Sequence, residues 1–346
     1  MRSSSPVATL PFQDRSRSWG VALCASIACF ACGAGEEPDP RGDLHNPVIG
    51  RLGLADPAVI AHEGTYYLYA TGDSRGFDVY TSRDLYEWVE GPRAIDIPGG
   101  NVWAPDVFRD PVDGQFYLYY SANYRVGVAK AASPIGPFND LGILIEGAID
   151  PHMFRDRDGR YYLYYEKAAD AEATLRSWRR PTGRIFVQPM SNPSTRESQP
   201  RLLLSPDSSW ERGWIFRVVE GPWMLERDGE YFLMYSGNAA FSADYAIGYA
   251  VGKSPLGPFV KHPGNPIIAR GGGVLGPGHH SVVEGPDGEL HIVYHQKATA
   301  RLGWDRFICV DRLLFTPDGR LEADVTPMRD GIASKEELDR SVIRWW

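Results

Sequence analysis

The chain has 346 residues, enough for a large core in one or two domains, and its 43% hydrophobic and 23% charged residues are ordinary for a globular protein. A formal net charge of -8 leaves no basic footprint and argues against nucleic acid as a partner. Cys309 is the one cysteine beyond residue 32, which rules out an internal disulfide framework, and 18 Tyr, 10 Trp, 37 Gly and 27 Pro point to aromatic strands joined by turns.

Residues 1–18 carry Arg2, Arg15 and Arg17, and Trp19 to Ala31 (WGVALCASIACFA) is a continuous small and apolar run. The run is short for a membrane span and has the length of an export-signal core. Residues 1–32 are therefore expected to be an export signal, and the acidic stretch 33–44 a tether. Small residues before Cys29 and Cys32 resemble a bacterial lipoprotein signal, with plain secretion as the alternative. Any membrane attachment would run through that N-terminal lipid alone.

From residue 45 to 330 the texture is uniform, with strands of four to eight residues between turn signals and no long helical period. Five times a polar residue precedes a glycine by eight or nine positions, and an aromatic strand follows. The polar residues are Asp56, Asp106, Asp150, Glu220 and His279. The strands are YYLYA from Tyr66, FYLYY from Phe116, YYLYY from Tyr161, YFLMY from Tyr231 and LHIVY from Leu290. A second repeat, SP-x-GPF at Ser133 and Ser254, fits the loop to an outer strand. Asp-Gly pairs at Gly114, Gly159, Gly229, Gly288 and Gly319 read as type I′ hairpin turns. Five repeats of one such unit make an all-β, five-bladed propeller. Blades are expected at 45–98, 99–147, 148–215, 216–275 and 276–330. The Arg/Ser/Glu-rich stretch 168–200 is expected to be an excursion loop. The tail 331–346 is left open between pairing with blade one and disorder.

Asp56 stands in LADPAV, Asp150 in AIDPHMF and Glu220 in VVEGPWML. Carboxylates on apolar strands are costly unless paired or functional. Three near one axis would push each other's pKa values apart, the arrangement that glycosidic bond hydrolysis needs. Taken singly, each reads better as a turn-capping acid at a strand end; taken together at equivalent repeat positions, they read as a site.

With ADPAV, WAPDV at Trp103, IDPHMF, EGPWML and GPGHHSVV at Gly276 in that order, the chain resembles glycoside hydrolase family 43, over residues 45–325. The resemblance implies inverting hydrolysis of arabinosyl or xylosyl linkages. Asp56 would be the general base, Asp150 the modulator of pKa and position, and Glu220 the general acid held protonated beside ionised Asp150. Substrate contacts would come from Trp103, Asp106, Phe216, Trp223, His279 and Arg306, with core packing the competing reading for Trp103 and a surface site for Arg306. No cofactor is required. A structural calcium on the propeller axis, reached by His279 through water, is the metal expectation. A retaining five-bladed carbohydrate-active enzyme and a catalytically silent sugar-binding propeller remain the alternatives.

Overall fold

The computed structural model describes residues 46–168, 182–213, 216–329 and 331–343. The leader, the tether and the alternative lipid sites lie outside the described residues.

The fold is a five-bladed β-propeller. Blade one is β1 (Ala55–His62), β2 (Thr65–Thr71), β3 (Gly76–Ser82) and β4 (Val89–Asp96), hydrogen-bonded in that order. Blade two repeats this with β5 (Val102–Arg109), β6 (Phe116–Ala122), β7 (Arg125–Ala131) and β8 (Asn139–Glu146). Blade three has β9 (Ile149–Arg155), β10 (Tyr161–Ala168) and β11 (Thr182–Asn192), with short β12 (Thr195–Arg196) and β13 (Arg201–Leu204) both paired to β11. Blade four is β14 (Arg217–Arg227), β15 (Glu230–Gly237), β16 (Ala246–Gly252) and β17 (Phe259–Lys261). Blade five is β18 (Gly278–Glu284), β19 (Leu290–Lys297), β20 (Arg306–Phe315) and β21 (Leu321–Asp324). The innermost strands β1, β5, β9, β14 and β18 pack against one another in a closed ring.

The tyrosine-rich runs are the second strands, and they lie where both faces are covered; β6 is buried along its whole length. The fourth residue of three runs ties one blade to the next. The Tyr119 hydroxyl donates to the Pro193 carbonyl at 2.7 Å and that of Tyr164 to Pro255 at 2.8 Å, while Tyr69 bonds Pro134. Pro134 and Pro255 belong to the two SP-x-GPF loops, so that motif is the receiving half of an inter-blade tie.

Two expectations are corrected. Part of 168–200 is the eleven-residue strand β11, because Ile185 and Val187 alternate into one core cluster while Phe186 packs against the cluster on the other face. Among the five Asp-Gly turns, only Asp228-Gly229 places both residues at positive φ; the others use the glycine alone, after a tight turn such as Gly159 N–H to Asp156 O at 2.9 Å.

The ring closes through the segment before β1. Asn46 is buried, accepts the Val310 N–H at 2.9 Å and donates to Asp311 at 2.9 Å, and Val48 N–H reaches Ile308 O at 3.0 Å. The described tail pairs with neither blade one nor solvent alone. A short helix, Lys335–Arg340, is capped by Ser334 and Glu337, and Val342 then bridges to Gly303 of blade five. Cys309 is fully buried on β20, an inert thiol.

Candidate active site

Each innermost strand breaks register once, and at each break a residue sits in the left-handed region: Asp56 (φ 51°), Ala104 (46°), Asp150 (56°), Gly221 (54°) and His279 (43°). Bulges of this kind re-aim side chains next to active sites. They also reset the equivalences. Glu220 lies one residue before its bulge and Asp106 two residues after. The spacing to glycine misled because the following hairpin loops run from two residues, at Glu63-Gly64, to six, between Arg109 and Phe116.

A left-handed bulge turns its N–H away from the ladder, and the preceding blade receives it. Ala104 N–H donates to Thr71 Oγ1 (2.8 Å), Asp150 N–H to Ser121 Oγ (2.9 Å), His279 N–H to Ser236 Oγ (2.8 Å) and Asp56 N–H to His295 Nδ1 (3.3 Å). Thr71, Ser121, Ser236 and His295 each stand sixth in their aromatic run. The sixth residue of the third run is Glu166, but there Gly221 N–H goes to Asp150 Oδ2 at 3.1 Å.

One cavity of about 400 Å³ collects Asp56, Asp150, Glu220, His279, Arg306, Trp103, Tyr124 and Trp304 in its wall. Asp56 is 5% exposed; its Oδ1 accepts from Arg306 Nη1 at 3.1 Å and its Oδ2 from Thr71 Oγ1 at 2.7 Å. Burial acts to raise its pKa, and Arg306, His279 and His295 together outweigh that, holding the carboxyl well below its usual range. Glu220 Oε1 accepts from Tyr245 OH at 2.7 Å. Burial, and after it the charge of Asp56, push Glu220 up to about 7 against the Tyr245 bond and Arg306. Asp150 is also pushed well up, by burial first and then by Glu220, Asp56 and Glu166. Glu220 and Asp150 thus raise one another on top of burial, and Asp56 adds to both. Of the three carboxyls, Asp56 is held toward the ionised form and Glu220 and Asp150 toward the protonated form.

Burial lowers the pKa of His279, against the pull of Asp56. Its Nδ1 stands 3.7 Å from Asp56 Oδ1 and 3.6 Å from Asp150 Oδ2, and among the described residues no three His, Cys, Asp or Glu side chains form a metal-holding group. Calcium takes about six to eight oxygen ligands. The described carboxylate oxygens beside His279 are those of Asp56 and Asp150, so an ion held there would take most of its shell from water.

Three expected substrate contacts lie elsewhere. Asp106 and Trp223 are both two residues past their bulges, one layer down the axis. There Asp106 Oδ1 is 3.5 Å from His152 Nδ1 and accepts the Met153 N–H on Oδ2, while Trp223 stacks on His152 at 4.1 Å. Phe216 packs edge-on against Phe241 at 5.7 Å, outside the described cavity wall. Sequence reasoning missed Thr71, Glu166, Tyr245, His295 and Trp304. The shared sixth position of the aromatic runs carried three of them. Tyr245 has no such signal, for its place depends on Gly278, where a Cβ would stand 1.9 Å from the tyrosine ring.

A family model described as glycosyl hydrolases family 43 matches residues 44–321. The β-D-galactofuranosidase xynD of Aspergillus niger is 30% identical over 310 residues, covering 80% of this chain and 83% of its own length. An extracellular exo-α-(1→5)-L-arabinofuranosidase, ArbA of Cellvibrio japonicus, is 27% identical over 82% of this chain and 86% of its own. Among solved structures, a thermostable family-43 glycoside hydrolase superposes with a TM-score of 0.74 at 36% identity, covering 84% of this chain and 99% of that one. Three buried carboxyls around one cavity of a five-bladed ring and a match over residues 44–321 agree: the chain belongs to glycosyl hydrolases family 43 and is a glycosidase.

Proposed function

We propose that this protein is an exported glycoside hydrolase that cleaves arabinosyl or xylosyl linkages with inversion, using Asp56 as base and Glu220 as acid. The observation that carries the reading is the opposed protonation of the two groups in one cavity, Asp56 held ionised and Glu220 pushed up to about 7. Asp56 takes a proton from a water, and that water's oxygen bonds to the anomeric carbon as the bond to the leaving oxygen breaks. Glu220 gives its proton to the leaving oxygen from the opposite face. Asp150 positions: its bond to Gly221 N–H fixes the residue next to Glu220. Arg306 holds Asp56 and, on the family resemblance, meets sugar hydroxyls.

Residues 45–330 are taken as the catalytic domain behind a leader of 1–32, with a lipid at Cys29 or Cys32. Two relatives whose names begin "Extracellular", from Cellvibrio japonicus and Bacillus subtilis, support export. The substrate panel is aryl arabinofuranoside, xyloside and galactofuranoside with linear arabinan; the galactofuranoside is included because of the Aspergillus relative's name. Proton NMR in the first minutes of reaction tests the mechanism. The expected first sugar has inverted configuration. A retained anomer, or a glycosyl ester trapped on Asp56, refutes the base assignment and favours a retaining enzyme.

A further inference from the structure

The loop between β19 and β20, residues 298–305, brings Trp304 into the cavity wall and is fastened from three directions. From the core, Lys297 is fully buried, donates to Gly303 O at 2.6 Å and pairs with Asp305, whose Oδ2 accepts the Thr299 N–H at 2.7 Å. A buried ammonium is expensive to leave unpaired, so this anchor strongly disfavours other loop conformations. From blade four, Phe241 O accepts the Gly303 N–H at 3.0 Å. From the C-terminal segment, Ser341 O accepts the Trp304 N–H at 3.0 Å, Ile343 N–H donates to Leu302 O at 3.0 Å, and Asp339 accepts from Arg301 at 2.8 Å. The segment lies so close that a Cβ on Gly303 would stand 2.6 Å from Ser341 O.

On this clamped loop Trp304 is nonetheless 45% exposed. The Arg306 guanidinium covers its ring at 4.9 Å from the centroid, and Phe241 meets it edge-on at 5.5 Å. A broad aromatic surface left open in the wall of a cavity with buried carboxyls suits the C–H face of a sugar ring. Its place fixes which sugar. Phe241 lies on the loop between β15 and β16 of blade four, the blade whose innermost strand carries Glu220. The leaving oxygen must meet Glu220, so the ring beside that blade faces the part of the substrate that departs.

We propose that Trp304 is the platform for the leaving sugar, and that the C-terminal segment 339–343 is a positioning element that holds it. The inference rests on the glycosidase reading with Glu220 as acid. A rigid platform lowers the ordering cost of binding, so its effect belongs in KM.

The test compares a disaccharide with the glycosyl fluoride of the same non-reducing sugar, for the full chain and for Trp304→Ala, Trp304→Phe and Gly303→Ala. The fluoride has no leaving sugar. Trp304→Ala is expected to raise KM for the disaccharide about tenfold more than for the fluoride, the size of one stacking contact, and Trp304→Phe to recover most of it. Gly303→Ala, which crowds the C-terminal segment, is expected to shift the two KM values in the same unequal way. Equal changes on both substrates, or a disaccharide KM that does not move, overturn the platform. A purely structural role for the segment would appear as a lower Tm and an equal loss of kcat on both. A wild-type chain that cleaves neither compound overturns the glycosidase reading itself, an outcome separate from the other two.

Discussion

Asp150 reaches across the seam between blades three and four, where its Oδ2 accepts the Gly221 N–H at 3.1 Å. In three other seams a hydroxyl does this work, and in the fourth an imidazole. A carboxyl here joins an architectural bond to the acid's immediate neighbour, and frees Glu166 from the duty its position implies.

Asp150→Asn keeps an acceptor oxygen for Gly221 but removes the ionisable group from the cluster. The fold is expected to survive, with Tm close to wild type. Asp150→Ala removes the acceptor as well, so Glu220 drifts and kcat is expected to fall by on the order of 10²-fold beyond the Asn variant. Equal activity in the two variants would show that the bond to Gly221 has no part in aiming Glu220.

The pH profile follows from the two opposed shifts. Asp56 must be ionised and Glu220 protonated in the active form. On the acid side, kcat/KM is expected to hold until pH falls well below the usual carboxylate range. On the alkaline side it is expected to decline as pH rises through about 7, as Glu220 loses its proton. A profile flat to pH 9 contradicts the assignment of the acid.

Replacing the acid separates leaving groups. Glu220→Gln is expected to lose on the order of 10²–10⁴-fold on alkyl or sugar leaving groups. Activated aryl leaving groups need little protonation and should lose far less. Initial rates across a series of aryl glycosides give the slope, and a loss independent of leaving-group pKa removes Glu220 from that role.

Glu166 supplies a stability test. Burial, and after it the charge of Glu220, hold its pKa well above the ordinary value. The folded state therefore keeps a proton that the unfolded chain releases near pH 4.3, and stability falls as pH rises above that value toward the folded pKa. Glu166→Gln removes this penalty. Its Tm relative to wild type is expected to increase between pH 4 and pH 8, as thermal unfolding at several pH values would show. A difference constant with pH would place a cation beside Glu166.

The propeller was legible because the aromatic second strands repeat and each must be covered on both faces. Asp56, Asp150 and Glu220 were legible because an apolar strand tolerates a carboxyl only at a cost in free energy, His279 because it recurs at the repeat spacing, and Trp103 and Arg306 through the family resemblance. Asp106 and Trp223 were misplaced because a one-residue bulge changes which layer a side chain enters, and variable hairpin loops hid the bulges from simple spacing. Phe216 was read by nearness to Glu220 along the chain, which says nothing about the direction of a ring. Trp304 escaped notice because its loop is held by bonds to Asp339, Ser341 and Ile343 that no local pattern announces.

The partners that set the charge of Asp56 are far away in sequence: His295 is 239 positions later and Arg306 is 250. A ribosome completes every other acid of the site before it makes these two. The surroundings of Asp56 are therefore complete only once the last blade has closed against the first.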